Sequence, residues 1–204
     1  MAKAETKLQN FLTEIRNQHT PRSDRFEVSF NIPPALLGNY GQQDARKISL
    51  YCEEAQIPGF AATNLPIKIG AWTEYRTQNV EFLTTEMSFT FILDENWAGR
   101  KFFEAWIAAS ADPYTKEVAY YNDVIADINI RSLSVNDDIL AQWCLKEAVP
   151  KLINLTPVSG NNVGFIRMTV SVSAKYWTPV SEDTGIVEAD NRNIFARIFS
   201  RISR

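Results

Sequence analysis

The sequence is poor in the residues that build most catalytic and metal sites. Its 204 residues include one histidine, His19, and two cysteines, Cys52 and Cys144, far apart in the chain. A structural zinc site needs four grouped cysteine or histidine ligands, and a catalytic triad needs a histidine beside its nucleophile. His19 stands in a polar stretch before Pro21 and offers neither arrangement. We therefore expect no metal, no cofactor and no enzymatic activity.

Long apolar runs and strong charge are missing as well. No segment approaches the ~18 consecutive apolar residues of a membrane-spanning helix. The first residues, Met1 to Gln9, are charged and unlike a signal peptide. The net charge of −3 gives no overall footprint for nucleic-acid binding. We expect no membrane insertion. We also expect the protein to be made in a reducing cytoplasm and exported only inside a larger particle. Two interpretations of the cysteines stay open, namely two buried thiols or a disulfide.

Alternating apolar residues dominate what remains, and they predict a mainly β chain with some helix, an α+β fold. Strands are predicted at 26–30, at 47–52 and at 87–93, with shorter pieces between Asn64 and Phe82. A hairpin is predicted around Asn136, joining a strand that includes Val124 to one that includes Leu145. The longest alternation runs from Ile166 to Trp177 and predicts a single strand of unusual length.

Helical spacing appears inside the β region and at both ends. A helix from about Trp97 to Ser110 places Phe102, Phe103, Trp106 and Ile107 on one face, and Asp94 is suited to cap it. The terminal segments have amphipathic patterns, with arginines filling the polar side of the last one. We expect their apolar residues to form subunit interfaces, and these residues are Leu8, Phe11, Leu12, Ile15, Ile194, Phe195, Ile198, Phe199 and Ile202. Packing on the same chain is the alternative for both segments, and binding to an acidic membrane or to DNA is a further alternative for the last one.

Four segments, taken in order, carry a family resemblance. They are Arg22–Phe30, Cys52–Gly59, the helix with Phe102, Phe103 and Trp106, and the closing strand that ends in Tyr176-Trp177. Together they resemble the tail tube proteins of T4-like contractile-tailed phages. Asp112-Pro113 followed by Asp123–Ile128 looks more like the baseplate-end members, which initiate the tube, than like the main tube subunit.

The resemblance implies a tail-tube-type β-barrel or sandwich with one flanking helix. Together with the amphipathic ends, it predicts an N-terminal helical extension (1–21), a tail-tube-like β domain (22–178) and a linker with a C-terminal helix (179–204). Members of this family form hexameric rings whose strands complete a continuous inner barrel. The rings stack into a channel through which DNA passes without sequence-specific binding, inside a contractile sheath. The implied location is the virion, after assembly in the host cytoplasm.

A binding module is the competing hypothesis. Tryptophans can stack on sugars or other small ligands, and the candidates are Trp72, Trp97, Trp143 and Trp177. The same residues are equally suited to a core or to an interface. The two functions differ in size, because a tube protein forms rings or longer assemblies, whereas a small-molecule or carbohydrate-binding β domain stays small.

Overall fold

The computed structural model describes residues 7–9, 12–13, 21–154, 156, 158 and 164–180. The strands are β1 (Phe26–Phe30), β2 (Cys52–Ala55), β3 (Gly59–Ile69), β4 (Trp72–Leu83), β5 (Met87–Ile92), β6 (Ala126–Leu133), β7 (Ile139–Ile153), β8 (Arg167–Ser173) and β9 (Tyr176–Val180). Helices α1 (Gln42–Leu50), α2 (Ala98–Ser110) and α3 (Tyr121–Val124) lie between them. The prediction of a mainly β fold with some helix is confirmed. Among the helices described, none is long and apolar enough to cross a membrane.

Strand β7 is shared by two antiparallel sheets. Its first half pairs with β6 on one side and β9 on the other, and β6 pairs in turn with β1. Its second half pairs with β8, which continues through β5 to β2. Because β8 and β9 follow each other in sequence, the chain runs along one edge of β7 and moves from one sheet to the other. The end strands β1 and β2 do not pair with each other.

A bulge in β7 makes the corner between the two sheets. One extra residue lies between Leu145 and Ala148, which face Ile128 and Ala126 of β6. Glu147 occupies this bulge with a φ of 54°, a conformation uncommon outside glycine. Its carboxylate accepts hydrogen bonds from the ammonium of Lys175, at 2.9 Å, and from the hydroxyl of Tyr121, at 3.0 Å.

Asp127 completes this corner from β6. Its carboxylate accepts hydrogen bonds from the Glu147 amide, at 3.2 Å, and from the Lys146 ammonium, at 2.7 Å. The hydrogen bond with Lys175 is the main cause that lowers the pKa of the Glu147 carboxyl below its ordinary value. These charged groups therefore stabilise the bulge in β7, Asp127 from the β6 side and Lys175 through the Glu147 carboxylate.

One apolar core lies between the sheets and is closed by α2. Val28, Ile128 and Leu145 come from one sheet, and Phe89 and Met168 come from the other. The aromatic face of α2 meets both of them.

On the predicted apolar face of α2, Phe102, Phe103 and Trp106 are buried, whereas Ile107 is half-buried. The Phe102 ring stacks on Phe30 at 5.5 Å between centroids, and Phe103 lies 5.2 Å from Phe91. Trp106 is fully buried, and its indole N–H donates to the Val124 carbonyl at 2.6 Å. The Ala98 amide at the start of the helix donates to the Asp94 carboxylate at 2.7 Å, so the predicted cap is also present.

The second predicted strand, residues 47–52, is wrong, because most of it is the end of α1. The Gly41 amide donates to the Asp44 carboxylate at 2.9 Å, which is a helix-start signal that the alternation concealed. Ala45 and Ile48 lie three residues apart and are both buried, as a helix requires. The predicted single strand from Ile166 to Trp177 is also wrong in part, since the ladder is interrupted at 174–175 and continues as β9.

The cysteines do not form a disulfide with each other. The Cys52 thiol donates to the Glu54 carbonyl at 3.3 Å, and burial raises its pKa to about 12. Cys144 is buried in β7. The interpretation of two thiols is therefore the one that fits the fold.

Replacing Trp106 by phenylalanine tests the closure of the core. The change removes the only indole donor to the Val124 carbonyl that the described residues show, and it leaves a void. We expect the free energy of unfolding to fall by about 2–4 kcal/mol. Chemical denaturation at dilute protein concentration measures it. Trp97→Phe at the helix start is the matched control and should cost under about 1 kcal/mol. Equal losses in the two variants would contradict this account.

Candidate assembly surface

Strands β3 and β4 form a long hairpin that leaves the body of the protein, which we call the arm (residues 59–83). Its strands pair from Gly59 opposite Leu83 to Ile69 opposite Trp72, with one shift of register between Thr63 and Asn64. Gly70 and Ala71 make the turn, and Gly70 has the positive φ of 62° that the first turn position favours. No other strand of the described chain pairs with it.

The arm continues the β2–β5 hairpin beyond the body. Strand β2 leads into β3 through residues 56–58, and β4 leads into β5 through residues 84–86. The Gln56 amide donates to the Ser88 carbonyl at 3.2 Å, which keeps the two segments of the hairpin together at this junction. The predicted short β pieces between Asn64 and Phe82 are thus parts of one long hairpin.

The arm carries apolar side chains that the rest of the described chain does not cover. No residue between 59 and 83 is buried. Leu65, Ile67, Ile69 and Trp72 project from one face of its outer half, and Trp72 at the tip is 72% exposed. An isolated two-stranded hairpin is marginally stable in water. Exposed apolar surface on a two-stranded ribbon typically marks an interface.

The base of the arm is anchored to β9 by aromatic residues. The Phe60 ring lies 4.6 Å from Trp177, and Phe82 lies 6.3 Å from Tyr176. The Trp177 indole N–H also donates to the Gly59 carbonyl at 3.0 Å. The direction of the arm is therefore fixed at its root, although its outer half makes no comparable contact with the described part of the chain.

The charges of the arm are balanced. Lys68 and Arg76 offset Glu74 and Glu81, and the Arg76 guanidinium is 3.0 Å from the Glu74 carboxylate. Such an exposed pair adds little stability, but it leaves a neutral ribbon. A neutral apolar ribbon suits a protein surface better than it suits a phosphate backbone.

The predicted interface residues are only partly described. Leu8 and Leu12 lie in helical residues, and both side chains are exposed. Phe11, Ile15, Ile194, Phe195, Ile198, Phe199 and Ile202 lie outside the described residues. The arm was not among the interfaces that the sequence patterns predicted. Its signal was present in the alternation of Leu65, Ile67 and Ile69, but alternation alone does not reveal whether a face is covered.

The four tryptophans considered for ligand stacking are not brought together. Trp72 lies at the tip of the arm, and Trp177 packs at its base. Trp97 precedes α2, and Trp143 lines a cleft of about 560 Å³ between the two sheets that neither Trp72 nor Trp177 reaches. In the described ranges there is also no cluster of three potential metal ligands.

A family model for the phage tail tube protein matches residues 21–179. This chain belongs to the phage tail tube protein family. It is a structural tail tube protein, and the members of its family are tube subunits, not enzymes. No curated protein sequence matches the chain.

Solved structures share the fold at low sequence identity. A chain in the PVC sheath–tube complex of an extracellular contractile injection system, in its extended state, is 12% identical, with a TM-score of 0.56 over 83% of this chain and 97% of that one. A chain in the six-fold symmetrised baseplate of the anti-feeding prophage is 10% identical, with a TM-score of 0.55 over 80% and 97%. A chain in the tube-terminating cap of the anti-feeding prophage is 11% identical, with a TM-score of 0.52 over 80% and 93%.

Replacing Trp177 by leucine tests the anchor. The change removes the bond to the Gly59 carbonyl and the stacking on Phe60, so the arm should open more often. We expect trypsin to cleave at least about threefold faster after Lys68 and Arg76, because cleavage follows the open population. The matched control is Trp143→Leu, which should lower overall stability without selective cleavage in the arm. Cleavage at these two sites that is unchanged by Trp177→Leu would contradict the anchor.

Proposed function

We propose that the chain is a ring subunit of a contractile-tail tube, and that six copies form each ring. The observation that carries this proposal is the arm, which presents apolar side chains and open strand edges that no described part of the same chain covers. The family supplies the tube. The similarity to a chain in a six-fold symmetrised baseplate supports the ring number.

Identical copies can cover the arm only through repeated contacts. When one surface of a copy binds a different surface of the next, the contacts continue until they close into a ring or extend as a helix. The arm leaves the body at a fixed root, so each copy can offer it in the same direction. Rings that stack in register would then make the tube. Both the main tube subunit and the baseplate ring that initiates it fit this arrangement.

The remaining parts of the proposal concern the contents and surroundings of the tube. DNA would pass through the channel without specific binding, which agrees with the net charge of −3. A contractile sheath would surround the rings, as the name of the sheath–tube complex describes for a protein of the same fold. The subunit would be assembled in the host cytoplasm and reside in the virion.

The terminal segments would connect neighbouring copies. We propose that residues 1–21 and 179–204 are extensions of the β domain at 22–178, and that their apolar residues pack on adjacent subunits or rings. In the first extension, Leu8 and Leu12 are exposed. An exposed apolar pair on a helix is available for a partner.

Electron microscopy of the purified protein tests the ring. We expect wild type to form six-fold rings or tubes, and the double variant Ile69→Ser with Trp72→Ser to lose most of them, because both substitutions remove apolar area from the arm tip. Tyr114→Ser changes an aromatic residue in the loop after α2 that is even more exposed than Trp72, and it should assemble like wild type. A wild-type protein that stays monomeric at high concentration would refute the proposed function.

Deletion of residues 181–204 tests the C-terminal extension separately. The cut preserves β9, whose last pair is Val180 with Gln142, so the domain should keep its stability. We expect rings to form but not to stack into long tubes. The measurements are thermal unfolding and the length distribution of tubes. Full-length tubes from this variant would contradict the proposed role of the extension.

A further inference from the structure

We propose that the arm joins a second copy of this chain through the outer edge of β4, and not through that of β3. This inference rests on the proposed function and adds to it the edge that carries the contact. Four observations support it: the turn geometry, a proline in β3, a side-chain contact across the arm, and the place where β8 leaves β5.

The two-residue turn determines which amides point outward. In such a hairpin the residues beside the turn, Ile69 and Trp72, form a hydrogen-bonded pair. The next pair, Lys68 and Thr73, is not hydrogen-bonded, so its N–H and C=O groups point away from the arm. The two kinds of pair then alternate as far as Asn64 opposite Thr77, beyond which the register shifts.

A side-chain contact supports this alternation. Counting from the turn, Asn64 opposite Thr77 is the third pair whose N–H and C=O groups point outward. Side chains approach most closely in such pairs. The Thr77 hydroxyl donates to the Asn64 amide oxygen at 3.0 Å, as this close approach allows.

The two outer edges differ in their donors. Pro66 and Tyr75 form the outward pair between the two just described, and proline has no N–H. The edge of β3 therefore loses the middle one of its three outward donors. The edge of β4 keeps all three, at Thr73, Tyr75 and Thr77. A proline at this position is a common means by which an edge strand is protected from pairing.

The course of β8 leaves a vacant place beside β4. In the body, β8 pairs with β5 along its whole length, from Met87 opposite Val172 to Ile92 opposite Arg167. The Ala174 amide then donates to the Thr84 carbonyl at 2.9 Å, after which the chain crosses to β7 as β9. Strand β4 lies in line with β5, so its outer edge continues the edge of β5 that β8 occupies. None of the described strands pairs with that edge of β4.

A strand from a second copy is the occupant that fits this place. A tube is built from copies of its subunit, and the added strand would extend an existing sheet, which satisfies the outward amides with main-chain partners. The edge of β4 would have to meet a different edge of the next copy, since pairing of β4 with β4 closes a dimer and stops growth.

A matched pair of proline substitutions tests the edge. Thr73→Pro and Lys68→Pro change residues that face each other across the arm, and neither removes a hydrogen bond within it. We expect Thr73→Pro to reduce the assembled fraction by about tenfold. We expect Lys68→Pro, and the side-chain control Thr73→Ala, to assemble like wild type. Trypsin cleavage after Arg76 in dilute samples checks that each arm still folds.

Hydrogen exchange in assembled wild type provides a second measurement. The amides of Thr73, Tyr75 and Thr77 should become protected on assembly, whereas the Lys68 amide should not. The edge assignment would be overturned if both proline variants lost assembly equally, if only Lys68→Pro lost it, or if neither did. In each of these cases, rings formed by wild type would still support the proposed function. Two-fold dimers would overturn it as well. If wild type forms no assembly, the proposed function fails and this inference fails with it.

Discussion

The bend of β7 at Glu147 is the constraint on which the rest of the molecule depends. A strand shared by two sheets must turn sharply, and the bulge supplies the turn at the cost of a positive φ at a glutamate. Asp127 of β6 binds this residue, and so does Lys175 from the break between β8 and β9. Because β8 and β9 follow the same bend, the chain leaves β5 at this level. The open edge of β4 and the Trp177 anchor of the arm are both consequences of that crossing.

Much of the body could be predicted from the sequence because its patterns reflect local burial. Strands β1 and β5 and helix α2 each bury one face, and their periodicity shows it. Helix α1 was mistaken for a strand because only Ala45 and Ile48 are buried in it, which is too few to establish a helical period. The break at 174–175 was missed because its cause is the bulge in β7, which lies far away in sequence. The arm was visible as β structure, but its lack of cover depends on neighbours that no local pattern describes.

An exposed apolar hairpin is a hazard as well as an interface, and this chain limits the hazard in three ways. The aromatic root restricts where the arm can point. Pro66 interrupts one edge, and the Glu74–Arg76 pair places charge on the same face as Leu65 and Ile67. Charges and prolines on edge strands discourage unregulated pairing. These features leave one edge and one face available, which favours ordered growth over aggregation.

The division of stability between body and arm would also couple folding to assembly. The body closes its own core around Phe102 and Trp106 and needs no partner for it. The outer half of the arm has only its own ladder, so in a free copy it should open far more readily than the core. Contact with a second copy would both order the arm and bury its apolar face. Each contact would carry the conformational-entropy cost of ordering one arm. A closed ring leaves no arm uncovered, whereas an open row of copies leaves one uncovered at its end, so complete rings are favoured over partial ones.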